Sequence, residues 1–247
     1  MLAAWLKDHY SLVWKTVFLL CAVPGLQLLW DFIRSDLGAN PLATLIHTTG
    51  RSALILLALT LTVTPLRRWL SNLYRWTHRK YGKRLSDWNW LIRLRRQLGL
   101  WCFFYACAHA WLYIHLDLGY DGHAARADFQ EKPYIAAGAV ALIFLWPLAL
   151  TSTQMGIRMM GRNWSRLHRL IYLIAVLGLF HFWWMTKPGV WKPWPETLTI
   201  GILLGYRLLL HLGLLARWDG YDGRESAERV SSAPLVDGIS IQGRGSV

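Results

Sequence analysis

Six apolar runs divide the chain, at residues 12–30, 45–64, 97–117, 133–152, 168–186 and 196–216, with charged and turn-forming residues between them. Each approaches the roughly 20 apolar residues that cross about 30 Å of hydrocarbon as a helix. Inside a bilayer only helices and closed barrels satisfy every backbone hydrogen bond, and continuous apolar runs of this length are helical. The pattern predicts an all-α polytopic membrane protein, a six-transmembrane-helix bundle over residues 1–217. The stretch 218–247 is rich in Gly and Ser with mixed charge and is expected to be a disordered tail. No small-residue cleavage site follows the first run, so that run is expected to remain as an anchor.

Composition agrees with this reading. Of the 247 residues 54% are hydrophobic and only 17% charged, less charge than a soluble domain of this length carries. Tryptophans gather near the run ends, at Trp88 and Trp90, Trp183 and Trp184, Trp191 and Trp194, as in an interfacial aromatic belt. Cys21, Cys102 and Cys107 all fall inside apolar runs with no Cys-x-x-Cys spacing. Neither a disulfide framework nor a zinc site is indicated, and the three read as small buried hydrophobes.

The net charge of +13 changes the picture through its distribution. Residues 65–96 carry Arg67, Arg68, Arg75, Arg79, Lys80, Lys83, Arg84, Arg93, Arg95 and Arg96 against Asp87 alone, and the next loop on that side adds Arg158, Arg162 and Arg166. The intervening loops 31–44 and 118–132 are balanced or acidic. Basic loops mark the cytoplasmic face, which places both termini in the cytoplasm and accounts for the charge without nucleic acid. The mixture of aromatic and basic residues in 65–96 predicts an amphipathic segment lying on the membrane surface, or a docking face for an acidic partner or flavin phosphate.

Three histidines lie inside predicted spans, His109, His168 and His181, where an ionisable group is costly and marks a functional site. At about 1.5 Å per residue, His109 lies roughly 20 Å outward from Arg96 and His181 roughly 22 Å outward from Arg166. The third and fifth spans run in parallel, so the two imidazoles sit at matching depth in the outer half of the membrane. Paired imidazoles on facing helices are how a bundle holds haem iron from both sides. His168 lies roughly 20 Å below His181, a separation that suits a second haem toward the cytoplasm. Thirteen residues, however, turn a regular helix about 140° away from a shared face. A local distortion is then required, with Gly178 a candidate place, or the two groups point at different neighbours. No histidine of the third span is level with His168, where Arg95 and Arg96 stand. Arg51, about a turn inside the outer end of the second span, is placed either to snorkel to the interface or to pair with a haem propionate.

The runs Thr49-Gly50-Arg51, Thr64-Pro65-Leu66, Arg95 through Phe103, Thr151-Ser152-Thr153-Gln154 and Leu167-His168, with His109 and His181, resemble the MsrQ (YedZ) family. That family belongs to the wider ferric-reductase-like transmembrane proteins, and the resemblance covers roughly residues 10–215. It implies a bacterial inner-membrane subunit binding b-type haem, one or two, with His109, His168 and His181 as the haem-associated residues. Electrons would come from the quinone pool, or through FMN from a cytoplasmic flavin reductase. They would pass to a periplasmic molybdenum-containing methionine sulfoxide reductase that repairs oxidised proteins, so the chain itself is not the catalytic subunit. The superfamily carries two histidines on each of two helices, and this chain has one well-placed histidine on its third span, His115 lying near the span end. No Gly-x-Gly-x-x-Gly dinucleotide motif is present, so a separate donor is required. Two other readings stand beside this one: a self-sufficient haem reductase of metal or oxygen, and a proton-relay transporter.

Overall fold

Two of the helices begin where the sequence supplies a cap for them. The computed structural model of the chain describes residues 2–77, 82, 84–186 and 193–213. Its helices are α1 (Leu2–Asp8), α2 (Tyr10–Ile33), α3 (Pro41–Trp76), α4 (Trp90–Leu112), α5 (Gly122–Glu131), α6 (Pro133–Leu150), α7 (Gln154–Met160), α8 (Arg162–Leu167), α9 (Leu170–Met185) and α10 (Trp194–His211). A 3-10 turn at Leu85–Trp88 precedes α4, and a π turn at Tyr113–Asp117 follows it. No strand occurs among the described residues. Asn40 caps α3 by accepting the Ala43 N–H at 3.1 Å, and Pro41 takes the first helical position, where a missing donor costs nothing. Asp121 caps α5 in the same way, accepting from His123 and Ala124.

Among the described residues four segments are long and apolar enough to cross a membrane: Tyr10–Ile33, Pro41–Trp76, Pro133–Leu150 and the α8–α9 stretch Arg162–Met185. The protein is thus an all-α polytopic membrane protein. Helices α4 and α10 occupy the places of the third and sixth predicted spans, but Arg93, Arg95 and Arg96 in the one and Glu196 and Arg207 in the other lower their hydropathy.

The chain divides into two compact units, Met1–Leu204 and Gly205–Val247. Of the second, the description covers the last turns of α10 and ends at residue 213, so the expected tail 218–247 and its boundary lie outside the described residues. The first unit is organised around two antiparallel helix pairs. Helix α3 lies along α4, with contacts at both ends from His109 to Ile46 and from Arg95 to Thr64, and α6 lies along α9. The core between them is formed by Leu54, Leu57 and Leu61 of α3, Cys102 and Tyr105 of α4, Leu145 of α6 and Ala175 of α9, closed by Ile200 of α10. Large apolar side chains also point outward, among them Leu19, Leu20 and Leu26 of α2, Ile143 of α6 and Ile202 of α10. Such a surface is a liability in water and suits lipid.

Helix α2 is joined to this core in its middle by a side chain of α4. Tyr105 is almost fully buried, donates its hydroxyl to the Cys21 carbonyl and accepts the Gly25 N–H, both at 2.9 Å. Those two groups are one helical turn apart and adjoin Pro24, which has no N–H to give.

Two expectations need correction. The first twelve residues of the basic stretch do not form a separate membrane-lying segment, because 65–76 prolong α3 through Pro65. At about 1.5 Å per residue a helix of 36 residues is roughly 54 Å long and overshoots the hydrocarbon layer. Arg79, Lys80 and Lys83 of that stretch lie outside the described residues. The distortion required between His168 and His181 is not at Gly178, where α9 runs unbroken against Leu54. It falls at His168 and Arg169, where the bonds Arg169 N–H to Arg166 and Tyr172 N–H to Arg169 tighten the chain into 3-10 geometry between α8 and α9.

Candidate functional site

The two depth-matched histidines meet. His109 near the end of α4 and His181 near the end of α9 have ring centroids 5.8 Å apart, with planes at 87°. Each ring is held by the neighbouring helix of its pair. His109 Nδ1 lies 3.0 Å from the Ile46 carbonyl of α3, and His181 Nδ1 lies 2.7 Å from the Tyr134 carbonyl of α6. A carbonyl can only accept, so Nδ1 is the protonated nitrogen in both rings, and Nε2 carries the lone pair. This is the orientation in which histidine ligates a metal, with the second nitrogen fixed by a backbone carbonyl.

The donor set limits what could be held there. No group of three or more His, Cys, Asp or Glu able to hold a bare ion occurs among the described residues. A porphyrin supplies four equatorial nitrogens itself and asks the protein for one or two axial ligands. Two imidazole–metal bonds of about 2 Å, each extended by the radius of the ring, separate ring centres by roughly 6 Å. The observed centroid spacing fits that requirement.

His168 is not part of this pair. Its Nδ1 lies 3.1 Å from the carbonyl of Trp164 in its own helix, and its ring stacks on Trp164 at 4.0 Å. Its Nε2 is buried without a hydrogen-bond partner among the described residues, with the Leu148 carbonyl also beside the ring. Arg51 has a protein partner. Its Nε donates to Glu196 Oε1 at 2.8 Å, the carboxylate being buried while the guanidinium remains largely exposed. His115, in the π turn, stacks on Trp111 of α4, and His47 is exposed.

Beyond the histidines, the site uses Gly50 and Gly138, which lie directly against the two rings, and Glu196, which engages Arg51. Glu196 reads in the sequence as an unremarkable span-end residue. The glycines carry no chemistry that would single them out.

The ferric reductase like transmembrane component family matches residues 49–179, which takes in α3 from just before Arg51, all of α4 and α6, and most of α9. A protein-methionine-sulfoxide reductase heme-binding subunit MsrQ from Herminiimonas arsenicoxydans is 40% identical over 203 residues, 82% of this chain and 85% of the relative. The chain belongs to the MsrQ family. The MsrQ proteins of Azospira oryzae and Ralstonia nicotianae are each 37% identical, over 84% and 90% of this chain and 83% and 92% of their own lengths. MsrQ membership and the ferric-reductase-like match agree with the architecture, since the matched segment takes in most of both helix pairs with His109 and His168, and His181 follows two residues beyond its end.

Proposed function

We propose that this chain is the haem-binding membrane subunit of a protein-methionine-sulfoxide reductase system, with His109 and His181 as the axial ligands of a b-type haem in the outer half of the membrane. The observation that carries this reading is the facing of the two rings, each with Nδ1 tied to a carbonyl of the adjacent helix. The bound haem supplies a one-electron carrier within a layer that ions do not cross. The chain supplies the rest. His109 and His181 offer Nε2 from a fixed tautomer, the carbonyl bonds raise the basicity of both rings, and the leucine-rich core keeps the surroundings at low dielectric. Arg51 directs its exposed guanidinium nitrogens, beyond the Glu196 contact, toward a propionate.

In this reading α2, α3, α4, α6, α8–α9 and α10 are six spans, with both termini cytoplasmic, a bundle extending to residue 217 and a disordered tail over 218–247. Support for α4 as a span is that its guanidiniums fall in the first two turns, leaving 97–112 without Asp, Glu, Lys or Arg. The membrane is the bacterial inner membrane. The catalytic partner is a periplasmic molybdenum-containing subunit that reduces methionine sulfoxide in oxidised proteins. The donor is quinol, or FMN reduced by a cytoplasmic flavin reductase. A groove of about 340 Å³ walled by Trp14, Phe18 and Trp101 and flanked by Arg93 and Arg96 suits a flat donor at the cytoplasmic side.

The buried Nε2 of His168, which makes no well-formed hydrogen bond although the Leu148 carbonyl lies beside the ring, is the position from which a second haem on the inner side would be held. The deciding experiment is the reduced-minus-oxidised spectrum of the purified chain with pyridine-haemochrome stoichiometry. A Soret band with b-type α and β bands is expected, and their absence sinks the haem reading. Rapid oxidation of the reduced protein by ferric chelate or dioxygen, without the partner reductase, would instead favour a self-sufficient reductase.

A further inference from the structure

The same construction occurs twice around the paired rings. His109 bonds the carbonyl of Ile46, and the residue four positions on in that helix is Gly50. His181 bonds the carbonyl of Tyr134, and the residue four positions on is Gly138. In an α-helix the carbonyl of residue i points toward residue i+4, and a side chain at i+4 leans back over the turn that carries that carbonyl. A Cβ at Gly50 would lie 3.0 Å from both Nδ1 and Cε1 of His109. One at Gly138 would lie 2.8 Å from Nδ1 and 3.0 Å from Cε1 of His181. A broad, rigid ring reaches a carbonyl inside a helical ladder only where the covering side chain is missing.

We infer that Gly50 and Gly138 are positioning residues for the two imidazoles, setting through the Ile46 and Tyr134 carbonyls which nitrogen of each ring is protonated and which is offered to iron. The inference rests on the haem reading for its consequence, but the geometry stands apart from it. A third ring follows the same rule with no part in the pair: Tyr105 reaches the Cys21 carbonyl where Gly25 is four positions on, and a Cβ there would lie 3.2 Å from its hydroxyl. The flexible amide of Gln97, by contrast, reaches the Trp14 carbonyl in a helix that carries Phe18 four positions on. The glycine requirement therefore belongs to ring donors, not to every donor that enters a helical ladder. Gly25 supplies a structural control, and Gly201 of α10, with open space around it, supplies a neutral one.

The test compares Gly50→Ala, Gly138→Ala, Gly25→Ala and Gly201→Ala in the full purified chain. Loss or lengthening of an Nδ1–H bond makes the imidazole a weaker donor to ferric iron, so the midpoint potential should rise. Haem affinity should fall about tenfold, the low end for removing such an outer partner. The low-spin electron paramagnetic resonance signal should shift with it, more in Gly138→Ala than in Gly50→Ala. Gly25→Ala should lower thermal stability while leaving potential and signal unchanged, and Gly201→Ala should change neither. If Gly138→Ala is not recovered folded, Gly50→Ala, with the looser contact, decides the matter alone. A wild-type haem spectrum with unaltered potential and signal in the folded glycine variants overturns the inference. A wild-type protein without haem overturns the parent reading instead.

Discussion

His109 and His181 place their Nδ1 atoms on helices other than their own, at sequence separations of 63 and 47 residues, whereas His168 bonds a carbonyl four residues before it. The outer pair is therefore held by tertiary structure. Its rings can face each other only if α3 lies along α4 and α6 along α9. His168 is held by local structure and a stacking neighbour, and it would keep that conformation in an isolated helical segment. A ligand pair that must hold a fixed spacing across a bundle belongs on the first kind of scaffold. The second kind leaves the buried Nε2 beside the Leu148 carbonyl without a well-formed hydrogen bond among the described residues.

The largest expected effect separates the two regions outright. His109→Ala or His181→Ala should abolish the outer haem signal, with His115→Ala as the unaffected reference, read from the reduced spectrum. Retention of that signal in either alanine variant would break the assignment of the pair. Next, His168→Ala should lower the haemochrome stoichiometry by one haem per chain while the outer signal survives. Equal stoichiometry with and without His168 would confine iron binding to the outer pair.

A smaller effect concerns the carboxylate behind the outer site. Arg51→Ala leaves Glu196 buried without its cation, and about 1–3 kcal/mol of stability should be lost in detergent unfolding. Glu196→Gln, which keeps a hydrogen-bond acceptor and removes the charge, should lose less. Equal losses in the two variants would mean that the carboxylate left without its cation carries no penalty of its own.

The smallest effect lies at the outer rim. Asp128 accepts from Lys132 at 2.6 Å and from the Tyr113 hydroxyl at 2.6 Å, and these bonds, that of Lys132 foremost, hold its carboxyl below the usual aspartate range. A depressed pKa contributes stability that is present above the unfolded value near 4 and is lost as pH falls through the folded one. The exposed setting limits the effect to under about 1 kcal/mol. Wild type and Asp128→Asn should therefore differ in unfolding temperature at pH 6 and converge below pH 4. A gap of constant size would remove the carboxylate from the explanation.

Much of this was legible in the sequence, and the reasons are physical. Hydropathy located the long helices because lipid imposes it, and counting 1.5 Å per residue from the basic boundary matched His109 to His181. The end of α3 was not legible, because a helix has no cause to stop where hydrocarbon stops, and Pro65 did not end it. The break at His168 lacks a glycine or proline to announce it. Arg51 carries a visible charge, but its partner Glu196 lies 145 residues away and only the fold brings them together. The carbonyls of Ile46 and Tyr134 were beyond reach for a simpler reason: every residue has one, and no side chain marks those in use.

The bridge that Tyr105 makes to Cys21 and Gly25 also bears on how the protein is assembled during synthesis. Gly25 and Cys21 lie 80 and 84 residues before the hydroxyl along the chain, roughly 4–17 s of translation at common bacterial to eukaryotic rates. The first span enters the bilayer before Tyr105 exists to bridge its Cys21–Gly25 turn. That bridge forms only when α4 arrives, so insertion and docking of this helix are separate events. Nascent chains halted before residue 90 should accordingly exchange the Gly25 amide proton faster than the finished protein does, and equal rates would remove the delay.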